Sequence, residues 1–143
     1  KELVENLEGF HFYIGALTEM SSKLLAFDEY SNVTLYPSIV PEISEELFKK
    51  CDIYLDINYG NEILGITRVA FRENMLILGF DTTVHNRTFV APENIYKPDL
   101  YMKMTDKIRH AFSDADMLQD LLYRQRVAAD DETIPNYKKK LIK

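Results

Sequence analysis

Apolar positions along this chain switch between two spacings. Leu3, Val4 and Leu7 recur at helical intervals, so residues 1–8 read as the end of a helix. Residues 10–16 are a compact aromatic and aliphatic run, which predicts a strand. Met20, Leu24 and Phe27 can share one face of a short helix over 19–27. Val33-Thr34-Leu35-Tyr36 predicts a strand that Pro37 stops. Pro41 suits the first position of the next helix, where its missing N–H costs nothing; Ile43, Leu47 and Lys50 then lie on one side. Residues 52–57 predict a strand, and residues 61–73 a helix with Ile63, Ile66, Val69 and Ala70 inward and Asn61 as its cap. Residues 75–80 are nearly all apolar, as in a strand covered on both faces. A short strand is expected over 88–91, then helices over 98–112, 114–129 and about 131–142, with Asp114 as a cap.

Strands alternating with helices predict an α/β fold: an open, mainly parallel sheet of four or five strands with helices on both faces. The length fits one domain over residues 1–143. Its C-terminal helices, 114–143, are expected to pack back, because Met117, Leu118, Leu121 and Leu122 form an apolar stripe ending at Arg126. The chain opens on Lys1-Glu2-Leu3 inside a helical pattern. The expectation is a segment of a longer protein, with the first strand of the sheet upstream.

Composition narrows the function classes. Of 143 residues, 46% are apolar and 28% charged, ordinary for a globular domain. A net charge of −6 argues against a nucleic-acid partner, which needs a basic face; Lys138-Lys139-Lys140 with Lys143 is a local exception. No apolar run is long enough for a membrane span. Cys51 is the one cysteine, which excludes an internal disulfide. His11 and His110 fall far from His85 in this topology, so no metal site is expected.

In parallel sheets ligands gather outside the carboxyl ends of the strands. The loops there are Thr18–Ser22, Pro37–Val40, Asn58–Glu62 and Asp81–Arg87. From residue 33 to about 129 the pattern resembles the nucleotide-sugar half of family 4 (group 1) glycosyltransferases, a Rossmann-like domain of the two-domain GT-B fold. The resemblance runs through Val33–Pro37, a helix ending at Cys51-Asp52, the strand and loop Ile53–Glu62, and Glu73–Asp81 in place of that family's x-G-x-P-V-V strand. Within it, the segments ALTEMSSKLL, CDIYLDINYGNEI and FDTTVHNRTFVAPENI are similar to the stabilising subunits of bacterial UDP-N-acetylglucosamine–peptide N-acetylglucosaminyltransferases. That resemblance implies a non-catalytic subunit without a cofactor. It would hold a catalytic glycosyltransferase partner and a Ser/Thr-rich acceptor polypeptide, in the O-glycosylation of serine-rich repeat adhesins. It also implies a bacterial cytoplasmic location, with a peripheral seat on the inner face of the cell membrane. The Asn86-Arg87-Thr88 glycosylation pattern would then go unused.

The departures from the family carry as much information. Active members hold the donor with Glu-x7-Glu. Glu62 can supply the first carboxylate, but Ala70 stands eight residues on; the alternative alignment gives Asn61 and Val69. The family's glycine pair after the next strand is replaced by Asp81–Arg87, whose Cβ atoms would crowd a sugar nucleotide. No catalytic residue is therefore assigned. The candidate substrate or partner contacts are Glu19, Asn58, Asn61, Glu62, Asp81, Thr82, His85 and Arg87. Four of them have a plainer reading: Glu62 as an acid at a helix N-terminus, Glu19 as part of a capping loop, His85 and Arg87 as members of a solvated loop. Asp56 reads as a satisfied structural carboxylate. Tyr36, Tyr54, Tyr59, Tyr96 and Tyr101 read either as core edges or as a platform for polypeptide. Two other functions compete with the stabilising subunit: an active retaining glycosyltransferase with a different donor carboxylate, and a plain sugar- or nucleotide-binding module.

Overall fold

The computed structural model describes the backbone of residues 1–63 and 65–142 and the side chains of residues 1–63 and 65–130. The chain divides into two compact units, Lys1–Lys50 and Cys51–Lys143.

In the first unit, helix α1 (Glu2–Asn6) precedes strand β1 (Phe12–Gly15), helix α2 (Ser22–Leu25), a 3-10 turn over Ala26–Glu29, strand β2 (Val33–Tyr36) and helix α3 (Pro41–Lys50). β1 and β2 pair in parallel, from Phe12 beside Val33 to Gly15 beside Tyr36. Leu3, Val4 and Leu7 are buried as their spacing requires. The open carbonyls near the end of α1 meet Asn32, whose amide nitrogen lies 3.2 Å from the carbonyls of Val4, Leu7 and Phe10. Ser21 caps α2 by accepting the Leu24 N–H. Pro41 opens α3 as the sequence requires.

In the second unit, β3 (Ile53–Asp56), α4 (Ile66–Arg72) and β4 (Leu76–Phe80) form a βαβ unit, followed by 3-10 turns at Arg87–Phe89 and Pro92–Asn94. β5 (Ile95–Tyr96), a 3-10 turn at Pro98–Leu100, α5 (Tyr101–Ala111) and α6 (Ala115–Ile142) complete it. The ladder runs β3-β4-β5, all parallel. Leu76, Ile77 and Leu78 are wholly buried, as expected of a central strand covered on both faces. Asn74 takes the left-handed conformation (φ 57°) that turns the chain out of α4 into β4. Asp114 accepts the N–H groups of Asp116 and Met117 and so starts α6.

The class is α/β with parallel sheets flanked by helices, and four sequence expectations need correction. The five described strands form two hydrogen-bonded ladders, of two and three strands. The strand expected over 88–91 is a 3-10 turn, and the last strand is Ile95–Tyr96. Asn86 accounts for the turn, because its side chain accepts the Thr88 N–H and curls the chain locally. The helix expected over 61–73 starts only at Ile66: Gly65 is left-handed (φ 64°), which leaves Asn61 exposed and Ile63 off the core. Helices 114–129 and 131–142 are one continuous α6. An apolar stripe that ends near residue 130 need not end the main-chain hydrogen bonding. The basic run Lys138-Lys139-Lys140 with Lys143 lies outside the described side chains.

Gly79 marks the tightest approach of β4 to its surroundings. A Cβ there would stand 2.5 Å from Val84 Cγ2 and 2.7 Å from the Asp56 carbonyl oxygen. Val84 can rotate away, but the carbonyl belongs to β3 and cannot. Gly79→Ala is expected to destabilise the chain by about 1–3 kcal/mol, the usual cost of overpacking. Adding Val84→Ala should recover only part of the loss in thermal unfolding, and full recovery would show that β3 yields freely.

Candidate functional site

The C-terminal ends of β3 and β4 carry a polar network joining Asp56, Thr83, His85 and Gly60. Asp56 closes β3 and is fully buried. A buried carboxylate must be saturated with donors, and the loop after β4 supplies them. Thr83 and Val84 fold back by donating their N–H groups to the Phe80 carbonyl. The Thr83 hydroxyl then donates to the Asp56 carbonyl at 2.7 Å and accepts the Phe80 N–H at 3.2 Å, stitching the loop to β3. This places His85 over Asp56. The His85 N–H donates to Oδ2 at 2.8 Å, and ring Nδ1 lies 2.6 Å from Oδ1.

The other ring nitrogen, Nε2, meets the carbonyl of Gly60. A carbonyl only accepts, so Nε2 must carry hydrogen. Nδ1 faces the Asp56 carboxylate, so both ring nitrogens meet acceptors, an arrangement that favours the doubly protonated ring. The His85 ring is thus held between a carboxylate and a carbonyl. Its pKa is raised above the usual value of 6.5, first by the Gly60 carbonyl, then by the hydrogen bond and charge of Asp56 and by Glu62, against a lowering from burial. Burial, with the charges of Asp56 and Glu62, likewise pushes the nearby Tyr54 phenol well up. Asn58 shapes the intervening turn by accepting the Gly60 N–H at 3.3 Å. Tyr59, between them, is 77% exposed.

Asn58, His85 and Glu62 come together around Asp56 and Gly60. Glu62 serves α4: its Oε1 accepts the Thr67 N–H at 3.2 Å, the plainer role of an acid at a helix N-terminus. Arg87 turns inward on its own loop, donating to the Asp81 carbonyl at 3.1 Å. Asp81, Thr82 and Asn61 are exposed. Glu19 belongs to the first unit, also exposed, where its carbonyl lies 3.5 Å from the Thr18 hydroxyl. Among the described residues no group of three or more His, Cys, Asp and Glu is placed to hold a metal, and no helix is long and apolar enough to cross a membrane. Sequence reasoning gave Asp56 only a structural role and missed its pairing with His85. The available signal was an acid ending an otherwise apolar strand, with a histidine at the same level after the next one.

The second position of the family's carboxylate pair is apolar by either alignment. Ala70 is fully buried on α4 and Val69 half-buried. A glutamate at 70 would enter the core, so the missing acid is built into the packing of the helix.

Parallel strands with polar loops at their carboxyl ends, α4 between β3 and β4, and α6 tied to β4 through Gln125 make up a glycosyltransferase-like α/β domain. Residues 1–125 match the model of the GftB/GlyA-F C-terminal domain, and the chain belongs to that family. It is 43% identical over 137 residues to the UDP-N-acetylglucosamine–peptide N-acetylglucosaminyltransferase stabilizing protein GtfB of Limosilactobacillus reuteri, covering 96% of this chain and 31% of that one. It is 32% identical over 108 residues to the glycosyltransferase GlyE of Streptococcus pneumoniae, covering 75% and 27%. Among solved structures, a GtfA/B complex bound to UDP and GlcNAc superposes with a TM-score of 0.83 at 36% identity, over 98% of this chain and 31% of that chain. The chain therefore spans between a quarter and a third of the length of each of these three relatives.

Proposed function

We propose that the protein is a glycosyltransferase-like, non-catalytic subunit that stabilises a catalytic UDP-N-acetylglucosamine-dependent partner and presents acceptor polypeptide to it. The observation that carries this reading is the lack of a free carboxylate pair at the donor position. Where the resemblance calls for two free carboxylates, Glu62 is engaged with α4 and the second place is the buried Ala70 or the apolar Val69. Closer similarity to stabilising proteins (43%) than to GlyE (32%) supports the same choice. The acceptor would be a Ser/Thr-rich polypeptide of the serine-rich repeat adhesin kind. Its contacts would come from the candidate residues, with Asn58 and the Asp81–Arg87 loop foremost. A cytoplasmic seat, peripheral to the membrane, accords with such a role.

Titration calorimetry of the full-length subunit with UDP and with UDP-N-acetylglucosamine should give no binding heat. The catalytic partner, mixed with the subunit at about 100 times their Kd, should gain about 2.7 kcal/mol of stability through linkage, visible as a raised melting temperature. Saturable donor binding by the isolated subunit would instead favour an active transferase, a reading that the similarity to GlyE keeps in view.

A further inference from the structure

The Asp56–His85 arrangement does more than satisfy a buried acid. Its outer contact is to the backbone of a different segment: Nε2 reaches the Gly60 carbonyl, 25 residues earlier in the chain. Among the described residues, the segment so held, Asn58–Gly60, has one other side-chain hydrogen bond. The bond from Gly60 to Asn58 lies within the turn itself, and all three residues are exposed, Tyr59 by 77%. A tyrosine that open, at the carboxyl end of a parallel strand, is the kind of rigid aromatic surface that polypeptide recognition uses.

We propose that the His85 imidazolium is a positioning group for the Asn58–Gly60 turn, that Tyr59 on this turn contacts acceptor polypeptide, and that the contact weakens as the ring loses its proton. The proposal rests on the acceptor-binding reading above. Its physics is local. With one ring proton gone, Nδ1 or Nε2 must face an acceptor without a hydrogen between them. The charged Asp56 is buried and accepts the His85 N–H as well, so it retains its ring proton, and the Gly60 carbonyl is the bond released. The titratable side chains that face the ring are Asp56 from β3 and Glu62 from the segment leading into α4, both acidic and both favouring the cation. Arg87, two residues on, commits its guanidinium to the Asp81 carbonyl. The ring's proton therefore controls an order–disorder choice for three exposed residues, without touching the core.

Two measurements on the full-length subunit test this. Histidine C–H exchange followed by mass spectrometry from pH 5 to 9 should give His85 a midpoint above the usual value of about 6.5. Amide exchange of the peptide carrying residues 57–63, corrected for intrinsic rates, should rise by roughly tenfold through that midpoint. In parallel, binding of a synthetic Ser-rich repeat peptide, read by fluorescence anisotropy, should weaken over the same pH window. His85→Gln should flatten that dependence, and Tyr59→Ala should weaken binding by roughly tenfold while leaving the His85 midpoint in place. A midpoint at or below 6.5, or loop exchange indifferent to pH, overturns the positioning role. Peptide binding that ignores both Tyr59→Ala and pH overturns the contact while leaving the acceptor reading intact. Absence of peptide binding at every pH, with the His85 titration as expected, refutes the acceptor reading itself.

Discussion

Asp56→Ala is expected to cost about 3–5 kcal/mol, the typical penalty for removing one partner of a buried ion pair. The side chain is fully buried, and its two oxygens take the main-chain N–H and the ring Nδ1 of His85. Truncation leaves an imidazolium that is only 16% exposed without its counter-ion, and an amide without an acceptor. The loss should carry a pH signature. Because the folded pKa of His85 is raised, its contribution is complete below the unfolded value near 6.5 and disappears as pH rises through the folded value. Urea unfolding should therefore show a larger gap between parent and variant at pH 6 than at pH 9. The pH dependence will shrink in the variant but persist in part, since the Gly60 carbonyl is the leading cause of the shift. Asp56→Asn, which keeps an acceptor oxygen, should lose less. An equal gap at both pH values would mean that the ring is neutral in the folded chain.

A comparable loss is expected from Gln125→Leu, despite its similar size and greater apolarity. β5 pairs with β4 only at Gly79 and Phe80, which leaves the first half of β4 without a strand on that side. The Leu76 N–H points the other way, to Asp52 on the β3 side. Gln125 of α6 fills the gap as a one-residue strand mimic: its Oε1 accepts the Ile77 N–H at 2.9 Å, and its Nε2 donates to the Met75 carbonyl at 3.0 Å. Ile77 and Met75 are both buried, so no water can replace the amide. Leucine would strand two main-chain groups, each costing about 1–3 kcal/mol. Gln125→Glu keeps the acceptor but not the donor and should fall between parent and Leu in thermal unfolding. If leucine proved neutral, α6 would have to be held by apolar packing alone, through Leu121 and Leu122.

Much of this protein could be read from local pattern. The alternation of apolar spacings identified β1 to β4 and α1, α3 and α5 closely, because strand and helix periods are set by backbone geometry and survive any tertiary context. Pro41 and Asp114 marked helix starts because a missing N–H or a short acceptor side chain acts within one turn. Resemblance in the loops identified the family. The sequence could also exclude the second donor carboxylate, since no alignment puts an acid at 69 or 70.

Tertiary structure decided what depended on distant partners. Gly65 delayed α4 and took Asn61 out of its cap, an outcome that a capping rule applied four residues earlier could not foresee. Asn86 turned an apolar stretch into a 3-10 turn and moved the last strand to Ile95–Tyr96. Asn32, Gln125 and the Asp56–His85–Gly60 arrangement all join positions more than 20 residues apart. Asp56 and Gln125 appear in sequence as polar residues within apolar patterns, which local periodicity treats as noise. Burial makes each obligatory, because a polar group removed from water must find its partner wherever the fold supplies one.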